Sequence, residues 1–336
     1  MITYFKLLEG NHNVAYYRYI FCLKQCYTGI MIKQKVVISG INGFVGHHLA
    51  RELDSVGIAV IGIGLDAAVD SDITEIVSSY YQSDLSATWP DIPNVTAVIH
   101  LAGLAAVGPS FDNPQKYINI NSAMVTHLCE YYLKQTIKPR IVVVSSGAIY
   151  SPNQSMPISE TGEVGFSSPY AVSKILNENQ VTYYRNRGLD CVVARPFNHI
   201  GPGQKQGFIL PDFYGRLSRI ESDNQTIQTG NIETRRDYTD VRDIARAYSK
   251  LALAPKLDHI IYNICSGVSL SGREILDELK ATIKLPNMKY ETDPSLIRPT
   301  DAMEIIGDAS RLKNELDWVP LIDIHQTVID FVQSQP

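Results

Sequence analysis

The sequence predicts an α/β fold, a doubly wound parallel sheet joined to a smaller, discontinuous α/β lobe, and three observations predict it. A β-branched apolar run, Lys35-Val-Val-Ile-Ser39, leads through glycines at three-residue spacing (Gly40, Gly43, Gly46) into a helical pattern carried by Phe44, Val45, Leu49 and Leu53. Strand-like and helix-like segments then alternate to about Arg195, and such alternation calls for a parallel sheet covered on both faces. Beyond Arg195 the chain is richer in Gly and Pro and its elements are shorter, as expected of a second lobe.

The elements follow in order. In the first strand–turn–helix unit Gly40 permits the tight turn, Gly43 lets backbone approach a pyrophosphate, and Gly46 allows helix to pack closely on strand. The helix N-terminus adds free N–H groups and a favourable dipole, so Asn42, Phe44 and Val45 join the glycines as expected cofactor contacts. A bare glycine triplet also suits a structural turn; its place between strand and helix favours dinucleotide binding. The second strand, Ile58 to Asp66, ends in an acid twenty residues past Gly46. A carboxylate there meets adenosine ribose hydroxyls and repels a 2′-phosphate, which favours NAD over NADP; the alternative is a solvated strand-end Asp66. Asp84-Leu85 follows a third strand, and Val95 to Gly103 contains a fourth. Long helices are expected over Pro114–Leu133 and Pro169–Arg187, with a fifth strand, Arg140 to Val144, between them. That strand places Ser146 at the carboxyl edge of the sheet, where open α/β sheets bind ligands, with Ser145 positioning backbone beside it. A helix over Thr239–Leu253 and a strand over His259–Cys265 return the chain to the sheet. The expected division is therefore 31–196 plus 239–265 for the larger domain and 197–238 plus 266–336 for the smaller lobe.

Tyr170 and Lys174, in Ser168-Pro-Tyr-Ala-Val-Ser-Lys174, share one face of the second long helix. An ammonium ~4 Å from a phenolate stabilises it by about 4 kcal/mol at an effective dielectric of ~20, drawing the hydroxyl toward neutral pH, with burial opposing. Such a phenol is a proton donor and acceptor matched to physiological pH. Taken alone the spacing also fits a core tyrosine beside a solvated lysine; the glycine turn upstream changes the balance.

Composition narrows the class. A chain of 336 residues with 45% apolar residues and a formal charge of −5 is an ordinary globular protein, and its acidic balance gives no support to nucleic-acid binding. Five scattered cysteines (22, 26, 129, 191, 265) without Cys-x-x-Cys pairs argue for reduced thiols, a cytoplasmic setting and no metal site. No apolar run reaches membrane-spanning length. Residues 1–30, aromatic-rich and broken by Lys6, Glu9, Arg18 and Lys24, are expected to be a disordered extension or to precede the true start at Met31.

With these motifs in order, the chain from about Met31 onward resembles the extended short-chain dehydrogenases/reductases, the NAD-dependent epimerase/dehydratase family acting on nucleotide-diphosphate sugars. The resemblance rests on Gly40-x-x-Gly43-x-x-Gly46, Asp84-Leu85, Leu101-Ala102-Gly103, Ser145-Ser146, Tyr170-x-x-x-Lys174 and Arg195-Pro196-Phe197-Asn198. It implies a Rossmann-type domain whose glycine motif, Asp84, Leu85, Leu101, Ala102, Gly103, Tyr170, Lys174 and Pro196 hold NAD or NADP. It further implies a catalytic set of Ser146, Tyr170 and Lys174, with Asn119 helping to place the lysine and Asn121 as the alternative. A homodimer through the helices near 114–133 and 169–187 is implied as well, with Tyr117, Val125, Leu128, Tyr132, Leu176, Val181 and Tyr184 offering apolar surface for it.

The tracts Arg195–Gln204, Gly207–Pro211, Gly230–Asp243 and Ile297–Asp301, with Asp308 and Trp318-Val-Pro320, are similar to those of GDP-4-keto-6-deoxymannose reductases. Arg236 and Arg298 are the expected diphosphate ligands, because guanidinium forks match phosphate oxygens; Arg235 competes with Arg236, and Asn198 is expected at the diphosphate or sugar. A 4,6-dehydratase is disfavoured, since Gly147 and Ala148 follow Ser146 where the related dehydratases carry an acid. A 4-epimerase retaining NAD uses the same Ser/Tyr/Lys set and stays open. A nucleotide-sensing binding protein on the same scaffold stands further behind.

Overall fold

The computed structural model describes residues 34–220, 225–294 and 302–335. The expectations placed on residues 1–30 and on Arg298 lie outside the described residues.

The larger domain opens with β1 (Lys35–Ser39), α1 (Phe44–Ser55), β2 (Ala59–Gly64), β3 (Val77–Gln82) and β4 (Ala97–His100). It continues with a short α2 (Gly108–Asp112), α3 (Pro114–Leu133), β5 (Arg140–Val144), α4 (Pro169–Asn186) and β6 (Asp190–Pro196). The smaller lobe brings β7 (Asn198–Ile200), α5 (Ile209–Leu217), β8 (Thr226–Thr229) and β9 (Arg235–Asp240) before α6 (Val241–Leu253) and β10 (Ile261–Ile264) return to the large sheet. The rest comprises β11 (Ser269–Ser271), α7 (Gly272–Thr282), β12 (Lys289–Thr292), β13 (Glu304–Ile305), α8 (Ser310–Leu316) and α9 (Ile324–Gln333).

Seven strands form one parallel sheet in the order β10-β6-β5-β4-β1-β2-β3. The chain runs outward from β1 to β3 and then reverses through β4, so the crevice between the carboxyl ends of β1 and β4 is the topological switch point. Central strands covered on both faces read as continuous apolar runs, and Val36–Ile38, Ala97–Ile99 and Ile141–Val143 are indeed wholly buried.

Each face has its own core. On one side α1 and α6 contribute Leu49, Leu53, Ile244, Tyr248 and Leu251. On the other, α3 and α4 contribute Val125, Leu128, Tyr132, Val181 and Tyr184. This corrects the expected dimer surface: these five residues, and Tyr117 with them, are buried within the chain, because the sheet itself is the partner of their apolar face.

A third core, from Leu210 and Phe213 through Ile275 and Leu279 to Val328 and Phe331, fills the smaller lobe. There β9 pairs with β7, β11 and β13, and β8 pairs with β12. The C-terminal stretch does not stay in that lobe. Leu312 and Trp318 join the α1/α6 core, and the Trp318 indole N–H donates to the Asp243 carbonyl (3.0 Å), so the expected single piece 266–336 is interrupted.

Local chemistry explains where elements begin and end. Ser168 caps α4 by accepting from the Ala171 N–H (3.1 Å), with Pro169 at its first position, which sets Tyr170 in the first turn. Asp240 caps α6 in the same way, so that helix starts at Val241 and Thr239 falls in β9 instead.

Candidate active site

The glycine turn lies at the switch point. Gly40 has φ +75°, and a Cβ there would stand 3.0 Å from the Ala102 backbone; one on Gly46 would overlap the carbonyl oxygens of Ile41 and Gly40. Backbone thus packs on backbone around an α1 N-terminus whose Gly43 cap position has no side-chain acceptor, leaving the Phe44 and Val45 N–H groups for an external anion. This is a donor set that fits a dinucleotide pyrophosphate. The Phe44 ring stacks on His199 (centroids 6.0 Å apart, planes 11°) and His48 Nε2 lies 2.8 Å from the Pro202 carbonyl, so α1 is tied to the start of the smaller lobe.

The other expected cofactor residues line the same edge. Asp66 stands just past β2, exposed, with Asn42 Nδ2 donating to its Oδ2 (2.9 Å). Asp84 accepts from the N–H and hydroxyl of Ser86 (2.9 and 2.6 Å), whereas Leu85 is a core residue, 4% exposed. Leu101, Ala102 and Gly103 follow β4, where Leu101 and Ala102 donate to the carbonyl and hydroxyl oxygens of Ser39. Pro196 closes β6 and is buried.

Ser146, Tyr170 and Lys174 are brought together. Ser146 begins the turn after β5, and its Oγ accepts from the Ala148 N–H (3.1 Å). Burial pushes the Tyr170 phenol up, while a hydrogen bond with Ser146 pulls it partly back. Lys174 Nζ donates to the Val144 carbonyl (2.8 Å), lies 5.8 Å from the Tyr170 ring centroid, and would be 3.9 Å from a Cβ on Gly103. Burial brings its pKa down to about 8, with Glu178 opposing. The expectation that Lys174 draws the phenol down toward neutrality is therefore corrected. The ammonium is turned to the end of β5, and burial is the first cause of the phenol's raised pKa.

Asn119 does not reach this group. It is exposed, and its Oδ1 accepts from Gln115 Nε2 (2.6 Å). Asn121 is the buried one: its Oδ1 accepts from the Leu104 N–H (2.9 Å) and its amide donates to Ser173 Oγ (2.9 Å), joining the Gly103 loop to α4 one residue before Lys174. Two positions on a helix are about 200° apart, so only one of these asparagines can face the site.

The residues expected to hold substrate lie on the paired strands β7 and β9. Asn198 is exposed in β7. Arg236 is half-buried and donates through Nη1 to the carbonyls of Arg235 and Ala302 (both 2.8 Å). Arg235 is committed to Glu274 (2.9 Å) and Ser269.

Arg195 is more than one member of the Arg195-Pro196-Phe197-Asn198 motif. It is 3% exposed; Nε and Nη2 grip both oxygens of Glu178 (2.9 and 2.6 Å), and Nη1 donates to the Tyr150 hydroxyl (2.7 Å) and the Glu160 carbonyl (3.1 Å). One guanidinium thus joins β6, the Ser146–Tyr150 turn, and the helix of Tyr170 and Lys174 one turn beyond the lysine. The signal was present in the sequence as a charge inside an otherwise apolar strand, Cys191-Val-Val-Ala-Arg195.

Comparison with known proteins gives the class. The chain belongs to the NAD dependent epimerase/dehydratase family, whose model matches residues 36–265, and is an NAD(P)-dependent enzyme of that class. It is 31% identical to GDP-6-deoxy-D-mannose reductase of Pseudomonas aeruginosa over 88% of this chain and 95% of that one. Among solved structures it is similar to RMD from Pseudomonas aeruginosa complexed with NADPH (TM-score 0.76, 27% identity, 90% of this chain and 98% of that one). It is also similar to the UDP-glucose 4-epimerase of Thermotoga maritima with UDP-glucose (TM-score 0.79, 25% identity, 90% and 98%). No helix among the described residues is long and apolar enough to cross a membrane.

Proposed function

We propose that the chain reduces the 4-keto group of a nucleotide-diphosphate 4-keto-6-deoxy sugar, with GDP-4-keto-6-deoxymannose as the substrate its relative and its tracts favour. The observation that carries this reading is the buried Tyr170 phenol, its pKa pushed up by burial so that it is protonated at neutral pH, at the carboxyl edge of the sheet beside Ser146 and Lys174. A protonated phenol is the acid that carbonyl reduction needs.

When bound, the nicotinamide supplies the hydride to sugar C4. Ser146 orients the carbonyl by donating to its oxygen. Tyr170 gives its proton to the oxygen as negative charge develops there, and Lys174 stabilises the resulting phenolate while holding the ribose hydroxyls. Asn121, rather than Asn119, supports the lysine through Ser173 and the Gly103 loop. Arg236, with Arg298, binds the diphosphate; Asn198 bonds the diphosphate or sugar. Dehydration stays disfavoured: a side chain at 147 would begin 2.9 Å from the Phe197 ring, leaving no room for an acid beside Ser146.

Asp66 favours NADH over NADPH by repelling a 2′-phosphate, although the Pseudomonas aeruginosa structure was solved with NADPH. The homodimer stays in this reading, through the outward side of α3 and α4 where Tyr183 is 55% exposed. The described cysteines 129, 191 and 265 are buried and unpaired, which suits the cytoplasm.

The test adds GDP-4-keto-6-deoxymannose with NADH or NADPH and follows absorbance near ~340 nm, where the reduced cofactor absorbs. Loss of absorbance matched by sugar reduction is expected. No loss, with redox-neutral conversion of a UDP-hexose, gives the case to a 4-epimerase; cofactor binding without turnover on any nucleotide sugar gives it to a sensor.

A further inference from the structure

We infer that Asn42 is the positioning residue that sets cofactor preference, by holding Asp66 against the glycine turn. This rests on the reading that the turn binds a nicotinamide dinucleotide, and it concerns a residue that touches neither the reacting atoms nor the sugar.

Asn42 spends its whole side chain on the loop after β2. Nδ2 donates to Asp66 Oδ2 and to the Ala68 carbonyl (both 2.9 Å), and Oδ1 accepts from the Asp70 N–H (3.1 Å). One amide in the phosphate-facing turn therefore ties down three residues of the loop. The same loop is held from below. The Tyr80 hydroxyl donates to the Asp66 carbonyl (2.7 Å) and Gln82 Nε2 to the Leu65 carbonyl (3.1 Å). Gly64 is needed for this, since a Cβ there would stand 2.7 Å from the Tyr80 oxygen.

The geometry divides the labour of the carboxylate. Oδ2 is fixed by Asn42, and no described side chain bonds Oδ1, which leaves that oxygen for a ribose hydroxyl. An exposed Asp without the clamp would turn freely among rotamers and lose much of its selectivity, because ordering a side chain at the moment of binding costs free energy. The nearby basic side chains do not offset the charge. His47 lies between Asp70 (3.0 Å) and Asp72 (3.2 Å), and Arg51 is paired with Asp72. Three carboxylates thus face two basic side chains, a poor reception for a 2′-phosphate.

Equilibrium binding of NADH and of NADPH to the full chain, read by nucleotide fluorescence, tests this without any sugar substrate. The unaltered protein is expected to prefer NADH. Asn42→Ala should weaken NADH about tenfold, the loss of one hydrogen bond to a charged group, and leave NADPH within about twofold. Tyr80→Phe, which releases the loop backbone but keeps the amide clamp, should give a smaller shift in the same direction. Asp66→Asn should narrow the preference most, and adding Asn42→Ala to it should change the NADH to NADPH ratio no further. Equal loss of both nucleotides in Asn42→Ala, or effects on the ratio that simply add in the double variant, would overturn the inference, as would an unaltered protein that prefers NADPH. A protein that binds neither nucleotide sinks the cofactor reading and this inference together. Selective binding with no turnover of the GDP sugar sinks only the reductase reading.

Discussion

Among single residues, the proposed chemistry turns on a phenol and an amine. Tyr170→Phe should leave cofactor affinity near its original value while cutting turnover by about 10²–10⁴, measured as kcat against nucleotide Kd. Lys174 carries the pH dependence. Burial brings its pKa from 10.5 to about 8, so in the absence of ligand its charge is lost as pH rises past about 8, and reductive turnover should fall there. The stability effect has the opposite slope. Between about 8 and 10.5 the unfolded chain holds the extra proton, so stability rises with pH across that window, and the burial cost is present in full below it. Lys174→Met should abolish that rise, which urea midpoints across the window would show; a rise that persists unchanged would assign it to other groups. That Tyr170 and Lys174 share a face was legible from their spacing, and their reading as a pair needed the glycine turn upstream; the direction of the tyrosine shift was not legible. Helical spacing puts two groups on one face, whereas desolvation depends on what the rest of the chain lays over them. The choice between Asn119 and Asn121 was not legible for a related reason: both lie in Tyr117-Ile-Asn-Ile-Asn121, and tertiary neighbours, Leu104 and Ser173, tell them apart.

Between elements, Arg195 and Glu178 are the joint that aligns β6 with α4. Arg195→Ala would strand a carboxylate that is 11% exposed, and removing one partner of a buried pair typically costs about 3–5 kcal/mol. Chemical denaturation should show that loss, and Arg195→Met with Glu178→Leu should recover a large part of it; an unaffected single variant would demote the pair to a passive contact. The strands and helices were well marked in the sequence where local signals sufficed. Pro114 and Ser168-Pro169 announce the starts of α3 and α4, and β5 spans Arg140–Val144 as its apolar run suggests. The second strand stops at Gly64, short of Asp66, because Asn42, Tyr80 and Gln82 pull the chain out of the ladder. That stop depends on residues from two other segments, the glycine turn and β3, so no local pattern announces it. The apolar stripes of α3 and α4 were seen as well, but periodicity reports only that a face is covered. Here the sheet covers it.

For the whole molecule, alternation of strands and helices was enough to specify a doubly wound sheet, since few topologies bury so many apolar strands on both faces. The path of the C-terminal segment was not legible. Leu312 and Trp318 leave the smaller lobe to seal the α1/α6 core, a long-range match of shape that short apolar stretches do not encode. Trp318→Ala should therefore destabilise the larger domain by about 3–5 kcal/mol in denaturant unfolding, although it lies far along the chain from the glycine turn. A loss confined to the smaller lobe would contradict that placement. The two lobes meet where Phe44 stacks on His199, so the glycine turn and the strand bearing Asn198 sit against each other.

The most direct test of the central claim follows the transferred hydrogen. GDP-4-keto-6-deoxymannose is incubated with NADH or NADPH deuterated at the reactive nicotinamide carbon, and the sugar product is weighed by mass spectrometry. The account predicts deuterium retained at C4, seen as about one mass unit beyond the product made with unlabelled cofactor, with one cofactor oxidised per sugar reduced. A product without the label, or a sugar merely inverted at C4 while the cofactor pool stays unchanged, would contradict it.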